Sequence, residues 1–172
     1  MSCKKALIVI DMQNDYLWGK RKKIFAYDTE KLTAGVNGLI HSYADAGCDV
    51  IYIRHIIQNL PTNRLFFGYS IAGTPGAEIY SGIDIVSDLC FEKLLGDALS
   101  NKKLREHIKK CGYEELHLCG LDRYGCVTAT ALGAAKRGYK AYILADGTET
   151  VLPEKKVAKQ KKRLEKAGIK MI

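Results

Sequence analysis

Short apolar runs alternate with amphipathic stretches along this chain. Residues 5–10 are apolar and β-branched with no polar alternation, the pattern of a strand buried on both faces. Residues 29–46 repeat at helical spacing instead, with Leu32, Val36, Leu39, Ile40 and Tyr43 on one face and Gly47 as the stop. The alternation then continues. Strands are predicted at 49–53, 87–92, 115–119, 140–145 and 169–172. Helices are predicted at 100–110, with Ser100 or Asn101 as cap, at 124–137, ended by Gly138, and at 153–167, opened by Pro153. This βαβ repetition predicts a parallel sheet covered by helices on both faces. Residues 59–82 break the rhythm and hold all but one of the prolines. The loop over 55–82 is long enough to expect a lid or a partner contact there.

Length and composition narrow the picture. A chain of 172 residues, 47% apolar, is expected to form a single domain over 1–172 with a sizeable core. No run approaches the roughly 18 apolar residues that span a bilayer. The first apolar segment runs straight into Asp11 without a small-residue cleavage site, so no signal peptide and no membrane are expected, and the cytoplasm is the expected location. The six cysteines include no C-x-x-C pair, and a chain this regular needs no disulfides; Cys48, Cys90 and Cys119 read as small core residues. The net charge of +8 is concentrated in Lys20, Arg21, Lys22 and Lys23 and in residues 155–170. In the second group Val157, Leu164 and Ala167 punctuate the charge at helical spacing, which reads as a solvated helix face. No aromatic interleaving accompanies it, so no nucleic-acid partner is expected.

The chemistry sits at strand ends. Asp11 closes A-L-I-V-I-D, Lys93 closes L-C-F-E-K, and Cys126 follows L-H-L-C-G-L-D-R-Y-G. In a parallel sheet these ends converge on one crevice. D-M-Q-N-D-Y follows the first strand, so a glycine-rich dinucleotide turn is absent. Asp11 reads as a general base, with Gln13, Asn14 and Asp15 as a polar cluster to orient it. Cys126 is expected at a helix N-terminus, where the helix dipole and the Lys93 charge bias a thiol towards thiolate. Gly120 and Gly125 allow close backbone approach around it. His55 stands beside Arg54 without companion ligands, and His41, His107 and His117 lie inside predicted helices or a strand. Neither a metal nor a cofactor is therefore expected.

Together, A-L-I-V-I-D-M-Q-N-D-Y, G-T-P-G-A-E-I, F-E-K and C-G-L-D-R-Y-G-C-V-T-A-T-A-L-G-A-A-K-R-G-Y resemble the isochorismatase-like cysteine hydrolases, over nearly the whole chain. That superfamily includes nicotinamidases and N-carbamoylsarcosine amidohydrolases. The resemblance implies a three-layer Rossmann-like fold with six parallel strands and an Asp–Lys–Cys triad, here Asp11, Lys93 and Cys126. It also implies a cis peptide between Leu121 and Asp122, aiming the Asp122 and Cys126 N–H groups at an oxyanion. The implied activity is cleavage of a C–N bond in a small amide, carbamoyl or ureido compound through a Cys thioester. A non-catalytic, ligand-binding member of the same fold is the alternative, and a basic nucleic-acid-associated protein a more distant one. The Asp-x-His element of metal-binding nicotinamidases is replaced by I-R-H-I-I-Q-N. Tyr16, Trp18, His55, Phe66, Phe67 and Tyr124 are the candidates to line the pocket. Leu65, Phe66, Phe67 and Tyr69 in the long loop, with the assembly common in the family, imply a homodimer or tetramer.

Overall fold

The computed structural model describes residues 3–172. Six strands form one sheet: β1 (Lys5–Ile10), β2 (Asp49–His55), β3 (Cys90–Lys93), β4 (Glu115–Gly120), β5 (Lys140–Thr148) and β6 (Lys170–Met171). Every pairing is parallel, in the order β3-β2-β1-β4-β5-β6. Strand order reverses between β1 and β4, and the crevice beyond their carboxyl ends is where doubly wound sheets bind ligands. The helices are α1 (Asn14–Leu17), α2 (Thr29–Asp45), α3 (Pro61–Phe66), α4 (Lys102–Cys111), α5 (Thr128–Lys136) and α6 (Glu154–Lys166). No helix among the described residues is long and apolar enough to cross a membrane.

Alternate residues of the central strands feed two cores, as burial on both faces requires. Ala6, Ile8 and Ile10 face α4 and α5 with Ile51, Leu104, Ile108 and Leu116. Leu7 and Val9 face α2 with Leu32, Val36 and Ile40. The expected elements are present, with shifted ends. Asn101 rather than Ser100 caps α4, its side chain accepting the Leu104 N–H at 3.1 Å. The short helices α1 and α3 carry no apolar periodicity long enough to be seen in the sequence.

Two cysteine readings need correction. Cys48 is bonded to Cys3 in a disulfide, with Cα atoms 5.0 Å apart. The two residues precede β2 and β1, which are adjacent and in parallel register, so their starts are brought side by side. Cys90 is exposed at the start of β3 rather than in the core, whereas Cys119 is fully buried as expected.

Gly120 lets β4 turn away beneath the crevice. Its φ is +100°, and a Cβ there would lie 2.1 Å from the Ile10 carbonyl oxygen. That oxygen accepts the Leu121 N–H at 2.9 Å. Gly120→Ala therefore forces either a backbone shift or a clash. The expected loss is at least about 1–3 kcal/mol from the unfavourable dihedral alone, read as a lower urea midpoint at unchanged m-value.

Candidate active site

The residue after β1 is held in an unusual backbone. Asp11 has φ +56°, rare for a residue with a side chain. Its N–H donates to the Ile53 carbonyl at 2.9 Å, and its own carbonyl accepts the Gln13 N–H at 2.8 Å. This turn directs the carboxylate towards Lys93, the last residue of β3. Lys93 Nζ lies 2.8 Å from Asp11 Oδ2 and 3.2 Å from Cys126 Sγ. The Lys93 side chain is completely buried and that of Asp11 only 4% exposed. Burial draws the Lys93 ammonium down, but the Asp11 carboxylate and Cys126 outweigh it and hold the group above its usual range. Asp11 Oδ1 is buried without a hydrogen-bond partner among the described residues.

Cys126 differs from its sequence reading in two respects. It lies inside a widened π turn, Arg123–Val127, that precedes α5, instead of opening an α-helix. Gly125, at φ −103° and ψ −111°, makes the break. Burial and the Asp11 charge push the Cys126 thiol up to about 12, against the lowering effect of Lys93. Withdrawal from water and the neighbouring carboxylate thus work against the thiolate bias read from the sequence, and the one cation opposes them.

The Leu121–Asp122 peptide is trans, as is every peptide bond among the described residues, where cis was expected. The turn is built by Gly120 and Gly125 and by the Asp122 side chain. Asp122 Oδ1 accepts the Tyr124 N–H at 2.9 Å and the Thr150 hydroxyl at 2.7 Å. Asp122 Oδ2 accepts the Tyr27 hydroxyl at 3.1 Å and the Val151 N–H at 2.9 Å. The Asp122 carbonyl accepts the Gly125 and Val127 N–H groups and passes over that of Cys126.

The D-M-Q-N-D segment does something other than orient Asp11. Three consecutive side chains fasten the 55–82 excursion. Gln13 is fully buried; its Nε2 donates to the carbonyls of His55 (3.0 Å) and Ala77 (2.7 Å), and its Oε1 accepts the His55 N–H at 2.7 Å. Asn14 donates to the Pro75 carbonyl at 2.7 Å, and Asp15 accepts the Ser70 N–H at 2.7 Å. A Cβ on Gly76 would fall 2.1 Å from the Asp15 carboxylate. G-T-P-G-A is thus the other half of this clasp.

The excursion builds one wall of a cavity of about 270 Å³ beside Lys93, lined by His55, Ile57, Gln58, Asn63, Phe67, Tyr69 and Leu94. Of the predicted pocket residues it holds His55 and Phe67. Tyr16 lies beneath them, its hydroxyl 3.0 Å from His55 Nδ1 and 2.8 Å from Ser70 Oγ. Phe66 is 77% exposed on α3 and does not line it. Trp18 caps α1, half-buried, with Lys20 over its ring. Tyr124 is buried against Lys161 and Leu164 of α6 and does not line this cavity. Ile57 and Leu94 carry no sequence signal beyond lying in or beside the long loop, and Tyr69 is read from the sequence only as apolar surface for assembly.

Comparison with known proteins places this geometry. The Isochorismatase domain model matches residues 5–172. The chain belongs to the isochorismatase family of hydrolases. An uncharacterised family member from Bacillus subtilis strain 168 is 27% identical over 146 residues, covering 84% of this chain and 77% of that one. Among solved structures, the pyrazinamidase of Pyrococcus horikoshii in complex with zinc superposes with a TM-score of 0.84 at 25% identity, covering 99% of both chains. The N-carbamoylsarcosine amidase of Thermoplasma acidophilum gives 0.80 at 22% identity, over 99% of this chain and 95% of that one.

A metal at this site is not fitted by the side chains around it. His55 Nε2 is 3.0 Å from the Leu94 carbonyl, which can only accept, so Nδ1 is left to accept from Tyr16 and neither nitrogen is free. Burial, and then the charge of Lys93, lowers the His55 pKa and keeps the ring neutral. The cavity lining holds no carboxylate and no second histidine.

The thiol's protonation gives a measurable sign. Alkylation of Cys126 by iodoacetamide, followed by peptide mapping, is expected to rise about tenfold per pH unit from pH 7 to pH 10. A plateau below pH 8 would show a preformed thiolate instead. Asp11→Asn removes a charge that raises the thiol and leaves Lys93, so the profile is expected to move to lower pH.

Proposed function

We propose that this family member is a cysteine amidohydrolase that cleaves a C–N bond of a small amide, carbamoyl or ureido substrate. The observation that carries the reading is Lys93 Nζ lying between Asp11 Oδ2 and Cys126 Sγ, at 2.8 and 3.2 Å, with the Asp11–Lys93 pair buried and the sulfur partly exposed. One cation touching both groups lets a proton pass from sulfur to carboxylate without leaving the cation unpaired. The thiolate that forms inherits the contact the carboxylate gives up. The unpartnered Asp11 Oδ1 supplies the lone pair that receives the proton.

The sulfur then adds to the substrate carbonyl carbon, and the oxygen takes up negative charge facing the N–H groups of Asp122 and Cys126. Collapse expels ammonia or an amine, which leaves with the proton from Asp11. A thioester remains on Cys126. Water, giving its proton to Asp11, attacks that thioester; the acid departs and the sulfur regains a proton. Apolar groups of Ile57, Phe67, Tyr69 and Leu94 suit a small substrate body. Gln58 and Asn63 offer it hydrogen bonds.

Assembly belongs to the same proposal. Leu60, Leu65, Phe66, Leu94 and Leu95 are 48%, 80%, 77%, 59% and 62% exposed, and Phe67 and Leu94 share the cavity wall. So much apolar surface beside the mouth suits a contact between copies of the chain, as a dimer or tetramer.

Ammonia release across a panel of small amides, carbamoyl and ureido compounds tests the activity. Cys126→Ala is expected to abolish turnover of the responding substrate with an unchanged circular dichroism spectrum; retained turnover in the folded variant would overturn the mechanism. Light scattering tests the assembly. The wild type is expected above monomer mass at micromolar concentration, and Phe66→Glu with Phe67→Glu is expected to reduce that mass. A monomeric wild type removes the proposal, and an unchanged mass in the double variant moves the interface elsewhere.

A further inference from the structure

The opposite end of the sheet holds a second group of reactive side chains that the hydrolytic reading leaves unused. Asp49 begins β2, while His107 and Cys111 lie four residues apart on the last turns of α4. An Asp49 carboxylate oxygen, a His107 ring nitrogen and Cys111 Sγ all fall within 4.8 Å of one another. Sequence spacing leaves His107 and Cys111 as isolated helix residues; packing of α4 on the sheet supplies the carboxylate. β2 ends at His55, in register with Lys93, so this group lies about 20 Å of strand length from the triad.

From this geometry we infer a binding site for a zinc-like divalent cation, ligated by Asp49, His107 and Cys111. Four features support it. Sulfur, imidazole nitrogen and carboxylate oxygen together are the donor set of a borderline-soft metal rather than of calcium or magnesium. Zinc with sulfur at about 2.3 Å and nitrogen at about 2.0 Å gives a tetrahedral S···N edge of about 3.5 Å; Cys111 Sγ and His107 Nε2 lie 3.7 Å apart. Cys111 is the last residue of α4, where unpaired carbonyls make the negative end of the helix dipole, favourable to a cation. The ligands are also held from outside: the Tyr113 hydroxyl donates to Asp49, and the rings of Phe91 and Tyr113 flank His107 at 5.6 and 6.1 Å. Such outer partners fix ligand orientation. The thiol releases its proton to solvent as the metal takes its place, and the fourth position is left to water or to the Tyr113 oxygen. With an ionised carboxylate, a thiolate and a neutral imidazole, a divalent cation makes the site electrically neutral.

Cobalt(II), added to the metal-free 172-residue protein, is the probe. One equivalent is expected to give a thiolate-to-cobalt charge-transfer band and the strong visible bands of a four-coordinate site. Cys111→Ser is expected to lose the charge-transfer band, whereas Cys126→Ser keeps it. Tyr113→Phe is expected to bind about tenfold more weakly. A band absent in the wild type, surviving Cys111→Ser or lost in Cys126→Ser would overturn the inference. A second measurement needs no variant: one equivalent of zinc is expected to slow alkylation of Cys111 at least about tenfold, and an unchanged rate would also overturn it. None of these readouts depends on turnover, so failure here leaves the proposed hydrolysis standing, and failure of hydrolysis leaves this site standing.

Discussion

The buried ion pair between Asp11 and Lys93 is the constraint around which the site is organised. Two opposite charges removed from water are tolerable only when each satisfies the other, and deleting one partner of such a pair costs about 3–5 kcal/mol. Satisfying it requires the carboxyl ends of β1 and β3 to be brought together across β2, and requires Asp11 to adopt a backbone with φ +56°. The same pair bears on the sulfur beside it: the Asp11 charge and burial raise the Cys126 thiol, and the Lys93 charge lowers it. Under the proposed mechanism the carboxylate that favours the proton on sulfur is also the group that would take it.

Much of the architecture could be read from the chain. Apolar runs of strand length alternating with helical patterns left a parallel doubly wound sheet as the natural arrangement, and the three strand-end residues Asp11, Lys93 and Cys126 do lie together. What escaped the sequence was local backbone. A single widened turn is too short to show a period of its own, and nothing in the residue types distinguishes it from the start of the helix that follows. Short helices such as α1 have too few residues for a period, and burial, which decides the thiol's protonation, is a property of packing. The Cys3–Cys48 bond was illegible for a related reason: 45 residues separate the two cysteines, and only the pairing of β1 with β2 makes them neighbours.

Side chains also changed roles once placed. Asp122 is read from the sequence for its amide alone; its carboxylate is in addition the anchor that ties the turn before Cys126 to Tyr27, Thr150 and Val151. Tyr124 is a pocket candidate in the sequence, yet in the fold it packs against Lys161 and Leu164 of α6. His55 was expected in the pocket and lies there, but as a ring with both nitrogens engaged. In each case the residue type was informative and the direction of its side chain was not.

The clasp formed by Gln13, Asn14 and Asp15 separates two jobs that a single loop would otherwise share. It seizes the excursion at His55, Ser70, Pro75 and Ala77, all through backbone groups, and so is indifferent to the side chains in between. Residues such as Ile57, Gln58, Asn63, Phe67 and Tyr69 can therefore be exchanged while the carboxylate and the ammonium stay where they are. The fold in effect carries a replaceable face plate: the lining of the cavity can change without moving the strand ends that hold Asp11 and Lys93.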